Sequence, residues 1–200
     1  MPIESSKLMS HKKGKLIILS GPSGVGKGAI ISKLFVDKTL NLAYSVSVTT
    51  RKPRNKEIEG KNYFFVDVGT FKKRIAKHDF LEYTNFIDNY YGTSKSYVLN
   101  LQNEGYNVIL EIEVDGASQV LKNYEHRHDI ISIFIMPPSY QELEQRIRLR
   151  ASEPEVIIQK RLNKAKEEFK VQHQYDYIVV NDDLETAVAE IKEIIKENIS

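Results

Sequence analysis

Residues 21–30, "GPSGVGKGAI", are typical of a loop that binds phosphate groups. They match the pattern G-x-x-x-x-G-K, in which glycines let backbone N–H groups converge on phosphate oxygens and a lysine adds positive charge. In this pattern the lysine is followed by a Ser or Thr whose hydroxyl binds magnesium. Here Gly28 and Ala29 follow Lys27, and neither residue supplies a hydroxyl. The stretch alone is consistent with a working phosphate site and with a degenerate one.

The flanking sequence favours a working site. The apolar run "KLIILS" (15–20) precedes the loop as a buried strand would, and a helix follows with Ile30, Ile31, Leu34 and Phe35 on one face. A glycine-rich turn between strand and helix also occurs without phosphate, but strand, spacing and lysine are all present here. We therefore predict that the loop binds a nucleoside triphosphate. The residues expected to contact its phosphates are Gly21, Pro22, Ser23, Gly24, Val25, Gly26, Lys27, Gly28 and Ala29.

The composition narrows the class of protein. Two hundred residues, 41% of them hydrophobic, suit one domain with a sizeable core. A formal net charge of +2 argues against a dedicated nucleic-acid binder. The absence of cysteine excludes disulfides and thiolate metal sites and fits a reducing compartment. With no signal peptide in the polar residues 1–13 and no apolar run near the ~20 residues of a membrane span, we expect a cytoplasmic protein with a disordered leader over 1–13.

Four apolar, β-branched runs are expected to form parallel strands of a buried sheet. They are 15–20, 106–114, 130–136 and 177–180. Helical patterns separate the runs, including 94–105, which ends in a glycine suited to a helix C-terminus, and 182–199. In the last helix, Asp182 and Glu185 have the spacing of an acidic capping box. Alternating strands and helices predict a doubly wound α/β fold with ligands at the C-terminal ends of the strands.

Two stretches do not fit this alternation. Residues 46–96 combine short strand-like pieces with many Tyr and Phe residues, which predicts an inserted, mostly β lobe. Residues 138–171 predict a helical hairpin, with Ser139/Glu142 and Ser152/Glu155 as capping boxes. The remaining segments form the core of a single domain over 14–200. They are 14–45, 97–137 and 172–200.

A second group of residues lies in "SVTTRKPRNKEIEGKNYFFV" (47–66) and "DFLEYTNFIDNYYGTS" (79–94). Taken alone, "TTRKPR" fits a solvated basic turn and Glu82 an outward strand residue. Behind a phosphate loop in a two-lobed α/β chain, the set resembles the guanylate kinase family, which phosphorylates GMP with ATP. The resemblance runs from the phosphate loop to "VNDD" (180–183), and "TTRxPR", "GxxY", "FxE" and "YYGT" together are specific to that family among nucleoside monophosphate kinases. It implies a P-loop NTPase core, with the β lobe binding GMP and the hairpin acting as a lid.

The resemblance implies a role for each GMP-lobe residue. Two arginines would clamp the GMP phosphate through bidentate hydrogen bonds, and two tyrosine hydroxyls would donate to the same phosphate. Two hydroxyl residues and two acids would contact the base. The GMP set is Ser47, Arg51, Arg54, Tyr63, Glu82, Tyr91, Thr93 and Glu113. Thr93 stands where many members have Ser and keeps the hydroxyl.

Glu82 explains the preference for guanine in chemical terms. Guanine presents two adjacent donors, N1–H and the 2-amino group, and one carboxylate accepts both. Adenine has neither donor, so it would leave a buried carboxylate unpaired. Sites built on such pairing reject analogues by up to ~10⁴–10⁵ in favourable cases.

The segment "ILEIEVDG" (109–116) is unusual for a buried strand because it carries three acids. With a period of two, Glu111, Glu113 and Asp115 would share one strand face, where they must meet cations, donors or a polar cleft. One or two of them could instead cap the following turn. By resemblance, Glu111 lies near the metal and would bind it through a water, while Asp115 departs from the usual Gln.

The helical hairpin carries arginines that match the family's lid. Arg146 and Arg150 are four residues apart and share a helix face, while Arg161 lies on the second helix. By themselves they fit an ordinary solvated face, and Arg148 matches no family position. Asn181 in "VNDD" is expected to contact the ATP base. The residues expected to act in catalysis are Lys27, Arg51, Arg146, Arg150 and Arg161.

The sequence thus predicts the reaction ATP + GMP to ADP + GDP, with Mg²⁺ bridging phosphates and without a covalent intermediate. Two alternatives remain: a catalytically silent module that binds phosphorylated peptides, and a kinase for another nucleoside monophosphate. The first is disfavoured by Lys27 and the lid arginines, and the second by Glu82 with Thr93. The expected partners are small molecules, GMP or dGMP and ATP, without nucleic acid or membrane. Monomer and homodimer are equally open. The pair His126 and His128 is expected to lie in a surface loop.

Overall fold

The computed structural model describes residues 12–86, 88–124, 127–150 and 154–199, without the side chain of Arg150. The leader predicted over 1–13 therefore falls almost wholly outside the described residues, as does His126. In the described ranges, no helix combines the length and the hydropathy that a membrane span requires.

Strands and helices alternate along most of the described chain. The strands are β1 Leu16–Ser20, β2 Leu42–Tyr44, β3 Val48–Thr49, β4 Phe64–Phe65, β5 Phe80–Phe86, β6 Asn89–Ser94, β7 Asn107–Glu111, β8 Ile130–Met136 and β9 Tyr177–Val180. The helices are α1 Lys27–Leu34, α2 Val68–Ala76, α3 Lys95–Asn103, α4 Val114–Asn123, α5 Tyr140–Arg150, α6 Glu155–Phe169 and α7 Leu184–Ile199.

Five strands form a parallel sheet in the order β2-β7-β1-β8-β9. β1 lies at its centre, paired with β7 and β8, and all of its residues are buried. Its side chains alternate between two apolar layers, since Ile17 and Leu19 pack with α1 and α7 while Leu16 and Ile18 pack with α3 and α4. The doubly wound α/β fold is confirmed. All four predicted strands are present, and β2 is an additional one.

The acidic segment after β7 differs from the expectation. β7 ends at Glu111, Glu113 is the N-cap of α4, and Asp115 lies in the first helical turn. The prediction that these three acids share one strand face is therefore wrong. The buried residues of α4 are Val114, Gly116, Ala117 and Val120. Their spacing is that of a helix face, and packing of this face on the sheet outweighs the strand-like alternation of 109–114.

The inserted lobe contains a four-stranded sheet in the order β4-β3-β6-β5. It also contains α2, a nine-residue helix that the sequence analysis did not predict within this mostly β lobe. Asp67 caps α2 by accepting a hydrogen bond from the Thr70 backbone N–H at 2.8 Å. Phe71 of α2 stacks on Phe80 and Tyr90 of the sheet, with ring centroids 4.3 Å and 5.2 Å apart. The lobe therefore has an aromatic core of its own.

The predicted hairpin is present as α5 and α6, whose contact is apolar. It is formed by Leu143, Ile147, Ile158, Leu162 and Ala165. Ser139 caps α5 as predicted, accepting from the Glu142 backbone N–H at 3.0 Å. The second predicted capping box is wrong, since α6 begins at Glu155 directly after Pro154 at the N-cap; Ser152 itself lies outside the described residues.

The start of α7 is displaced by one residue from its prediction. The Asp183 carboxylate accepts from the Thr186 backbone N–H at 2.8 Å and so caps the helix in place of Asp182. Leu184 then occupies the first helical position, and the predicted pairing of Asp182 with Glu185 is wrong. The apolar face is as expected, with Val188, Ile191 and Ile195 buried.

Candidate active site

The phosphate loop joins the end of β1 to the start of α1. Its backbone is left-handed at Gly26, with φ of 102°, and α1 starts there without a side-chain cap. A Cβ atom on Gly26 would lie 2.5 Å from Asn181 Nδ2, so only glycine fits. The Asn181 amide in turn donates to the Val25 carbonyl at 2.8 Å. Asn181, which the sequence assigned to the ATP base, thus holds the loop backbone.

Lys27 is folded over this loop. Its ammonium donates to the Gly21 carbonyl at 2.6 Å and to the Pro22 carbonyl at 3.1 Å. Burial lowers the pKa of Lys27, while the nearby carboxylates of Glu111 and Glu168 oppose the shift. The carbonyls of the first two loop residues therefore hold the ammonium against the loop.

Glu111 faces the start of α1 from the end of β7. A Cβ atom on Gly28 would lie 3.9 Å from Glu111 Oε1, and the Tyr44 hydroxyl donates to Glu111 Oε2 at 3.2 Å. Burial and this carboxylate raise the pKa of Tyr44, which keeps its hydroxyl a donor. The described residues contain no cluster of three or more His, Cys, Asp or Glu side chains that would hold a metal. A single carboxylate beside a phosphate loop fits Mg²⁺ held mainly by phosphates and water.

A cleft of about 500 Å³ opens between the lobe and the core. It brings together most of the residues that the sequence assigned to GMP. Those lining it are Ser47, Tyr63, Glu82, Tyr91 and Glu113. Glu111 and Lys164 also line the cleft, so it reaches the end of β7 and the second lid helix.

Glu82 is the buried acid of this cleft, with 7% of its surface exposed. The Thr93 hydroxyl donates to Glu82 Oε1 at 2.5 Å across the β5–β6 pair. Burial raises the pKa of Glu82, and the hydrogen bonds from Thr93 oppose that shift. Thr93 therefore occupies one carboxylate oxygen and supports the charged form.

Arg51 is held by a residue that the sequence did not single out. Its two terminal nitrogens donate to Glu57 at 3.0 Å and 2.8 Å, and its guanidinium lies 5.3 Å from the centre of the Tyr63 ring. Glu57 Oε2 also accepts from the Arg54 backbone N–H at 2.7 Å, while the Arg54 side chain is exposed. Glu57 therefore closes the basic turn, and its only sequence signal was its position three residues after Arg54.

The lid arginines fall into different environments. Arg161 donates to the Ser23 hydroxyl of the phosphate loop at 2.7 Å, and Arg146 donates to the Asn181 carbonyl at 2.9 Å. Arg148 instead forms two hydrogen bonds to Glu155, at 2.6 Å and 2.9 Å, which join α5 to α6. The backbone of Arg150 lies at the end of α5, and its side chain is outside the described part of the chain.

The lid also contributes two charged residues that the sequence did not reveal. Lys164 contacts Glu113 at 2.6 Å and Glu168 at 3.8 Å. Glu168 is buried near Lys27, and this burial raises the pKa of Glu168 to about 7. Asp115 adds further negative charge beside Glu168 and Lys164. Lys164 and Glu168 lie one helical turn apart, but Glu113, Asp115 and Lys27 are distant from them in sequence, so no local motif marks the cluster.

Comparison with known proteins agrees with this geometry. The family model described as guanylate kinase matches residues 13–198. A guanylate kinase of Mesoplasma florum is 53% identical over 92% of this chain, and this chain spans 61% of that relative's length. A guanylate kinase of Malacoplasma penetrans is 46% identical, with coverage of 94% and 96%.

Among solved structures, the guanylate kinase of Anaplasma phagocytophilum matches 93% of this chain and 86% of its own, with 32% identity and a TM-score of 0.70. The family model and the sequence relatives cover both sheets and the lid helices. The chain therefore belongs to the guanylate kinase family.

Proposed function

We propose that this protein transfers the γ-phosphoryl group of ATP to GMP, forming ADP and GDP. The observation that carries the proposal is the position of Glu111. This residue lines the acceptor cleft and also faces Gly28 of the phosphate loop. A donor bound on the loop and an acceptor bound in the cleft would therefore meet, as direct transfer requires.

The lobe, residues 46–96, would hold the acceptor. Arg51 and Arg54 bind the GMP phosphate, with hydroxyl donors from Tyr63 and Tyr91. At the other end of the cleft, Glu82 accepts from guanine N1–H and the 2-amino group. Ser47, Thr93 and Glu113 complete the base contacts. Support comes from the shared cleft, which Ser47, both tyrosines and both acids line.

The core, residues 14–45, 97–137 and 172–200, would hold the donor. Loop amides and Lys27 bind the β- and γ-phosphates, and Asn181 keeps the loop in shape. Residues 138–171 form the lid, from which Arg146, Arg150 and Arg161 approach the transferring group. The contact between Arg161 and Ser23 supports this placement.

Mg²⁺, when bound, would neutralise charge on the phosphates of ATP, and Glu111 is the residue that would hold it, through water. In the reaction, a phosphate oxygen of GMP attacks the γ-phosphorus and the bond to the β–γ bridging oxygen breaks, so ADP leaves. Phosphate monoesters are largely ionised at neutral pH, and no general base is needed. Lys27 and the lid arginines stabilise the charge that spreads over the transferring oxygens.

The test is turnover with four acceptors. Purified protein is mixed with ATP, Mg²⁺ and either GMP, AMP, CMP or UMP, and ADP formation is followed. We expect rapid turnover with GMP alone. Faster turnover with AMP would indicate another nucleoside monophosphate kinase. Binding of GMP without any turnover would indicate a non-catalytic module, and either result would overturn the proposal.

A matched pair of lysine variants ties the activity to the loop. Lys27→Ala should lower kcat by roughly 10²–10³, the usual effect of removing one preorganised charge from a transition state. Lys33→Ala removes a lysine from the same helix that pairs with Glu185 on the surface, and it should leave kcat unchanged. Equal activity of both variants would show that the loop is not the site of transfer.

A further inference from the structure

We infer that the first turns of α4 position Glu82, and that Gly116 and Gln119 thereby determine selectivity for guanine. The inference rests on the proposed function, since it concerns how the acceptor base is read. Gly116 ends the acidic segment 109–116 and Gln119 lies beyond it, and the sequence assigned a role to neither residue. Both act on β5, the strand that carries Glu82.

β5 is the terminal strand of the lobe sheet. One edge pairs with β6, and the other contacts α4 where the lobe meets the core. There the Gln119 side chain binds the backbone of Tyr83, the residue after Glu82. Gln119 Oε1 accepts from the Tyr83 N–H and Gln119 Nε2 donates to the Tyr83 carbonyl, both at 3.2 Å. One amide side chain thus supplies both hydrogen bonds that a neighbouring strand would make.

The pairing of β5 is irregular immediately before Glu82. Phe80 lies opposite Ser94 and Glu82 lies opposite Thr93, so Leu81 is an extra residue in the ladder. The consequence is that Leu81 and Glu82 are both buried, although neighbours on a regular strand point to opposite faces. A bulge of this kind turns a side chain toward a site, but it also weakens the strand that carries it. Support from outside the sheet is therefore needed at this point.

Gly116 provides that support because, without a side chain, it lets the backbone of α4 contact Glu82. A Cβ atom at this position would lie 3.0 Å from Glu82 Oε2, 3.3 Å from Cδ and 3.4 Å from Cγ. The backbone of α4 therefore lies directly against the carboxyl group. Thr93 holds the other oxygen at 2.5 Å, so the carboxylate is confined between a hydroxyl and a helix backbone. The positive end of the α4 dipole also favours the ionised form that guanine requires.

The position of the Glu82 carboxylate matters because it is expected to accept two hydrogen bonds from guanine. A displacement of a few tenths of an ångström at Glu82 would spoil one of the two hydrogen bonds to N1–H and the 2-amino group. Inosine monophosphate tests this directly, because it keeps N1–H and lacks the 2-amino group. The ratio of kcat/KM for GMP to that for inosine monophosphate reports the geometry of Glu82.

The experiment compares Gly116→Ala and Gln119→Leu with the wild type. In both variants we expect KM for GMP to rise roughly five- to tenfold, the effect of losing about one hydrogen bond, with kcat and KM for ATP nearly unchanged. The preference for GMP over inosine monophosphate should fall by a similar factor. Glu82→Gln sets the scale of a full loss, and Ser118→Ala, in the same helical turn, is the matched control.

A purely structural role predicts a different result. Alanine favours helix over glycine, so a passive Gly116 would give a higher Tm and unchanged selectivity. Unaltered GMP preference in both folded variants would overturn the inference while leaving the proposed function intact. If the wild type itself fails to use GMP, the proposed function fails instead, and calorimetric binding of GMP and inosine monophosphate to the same variants still tests the positioning of Glu82.

Discussion

Lys164 of the lid lies 2.6 Å from Glu113, the N-cap of α4, and this ion pair joins the lid to the acceptor cleft. The two side chains are 48% and 75% exposed, so the pair by itself stabilises the fold little. The pair matters because it holds Glu113 in place, and Glu113 is assigned to the guanine base. The ion pair therefore connects the lid to the part of the cleft that is expected to bind the guanine base.

Lys164→Met should weaken the use of GMP. Without the ammonium, Glu113 loses its partner beside Asp115 and Glu168, and their repulsion moves it from the cleft. We expect KM for GMP to rise roughly two- to fivefold, the range of an exposed ion pair, with KM for ATP unchanged. Lys160→Met, an exposed lysine of the same helix, is the control. Identical KM values for the two variants would contradict the prediction.

Glu168 should make stability depend on pH. Its pKa is about 7 in the folded protein against an ordinary 4.5, because burial outweighs the attraction of Lys164 and Lys27. Below pH 4.5 the group is protonated in both states and costs nothing. As pH rises to 7 the unfolded chain loses the proton first, so this residue lowers stability progressively, and the loss is complete above pH 7.

The measurement is Tm against pH for the wild type and Glu168→Gln. The variant should lack the decline between pH 4.5 and 7, and carboxyl carbon resonances should show one Glu titrating near pH 7. Glu167→Gln removes an exposed neighbouring carboxylate that pairs with Lys170 and should leave the decline in place. Parallel curves for the wild type and Glu168→Gln would show that Glu168 ionises normally.

Glu57 should be needed for GMP binding, although its negative charge repels phosphate. It accepts from both terminal nitrogens of Arg51 and from the Arg54 backbone N–H, so it fixes the position of Arg51 within the basic turn. Glu57→Gln should raise KM for GMP about tenfold, equivalent to about 1.4 kcal/mol, and leave KM for ATP unchanged.

Glu59→Gln is the control for Glu57, since Glu59 lies two residues further on and accepts from the Phe65 backbone N–H, which Gln also does. A lower KM for GMP in Glu57→Gln would mean that Glu57 competes with the phosphate for Arg51 and does not position it.

A substitution at Gly28 should supply the hydroxyl that usually follows the lysine of a phosphate loop. At Gly28 a Cβ atom would meet only Glu111 Oε1, at 3.9 Å, so serine fits without displacement. Gly28→Ser should lower the Mg²⁺ concentration for half-maximal activity severalfold, and Glu111→Gln should raise it. Ala29→Thr tests the neighbouring position. No change in any of the three would show that neither the hydroxyl nor Glu111 governs Mg²⁺ binding.

The sequence predicted the core well because its signals are local. The strands around β1 and the helix after Lys27 are each defined by one apolar pattern. Predictions failed where two patterns compete over a few residues. Strand-like alternation continued past Glu111, while the helix face of α4 became visible only over ten residues. α2 was missed because it is only nine residues long and lies among strand-like pieces, and because the packing of Phe71 on the sheet depends on the tertiary fold.

The candidate site likewise contains residues that the sequence analysis named and residues that it did not. The sequence named Lys27 from the phosphate-loop pattern and Glu82 from the family resemblance, and the structure places Lys27 on the loop and Glu82 in the cleft, while their roles stay predictions. The residues that hold them were not found. Gln119 and Lys164 act through contacts that depend on the tertiary fold, with partners 36 and 51 residues away, while Glu57 acts within its own turn but belongs to no motif. Supporting contacts leave no pattern in a single sequence.

The contact between Asn181 and Val25 has a consequence for synthesis of the chain. The two residues are 156 positions apart, and β1 lies between β7 and β8, which are both made later. At ~5–20 residues per second, a ribosome needs roughly 8–30 s to go from one contact residue to the other. During that interval the apolar strand β1 has been made before its neighbours β7 and β8, and the phosphate loop lacks its hydrogen bond from Asn181. Nascent chains should therefore be captured by chaperones at β1 and acquire ATP affinity only when the last strand and helix have left the exit tunnel.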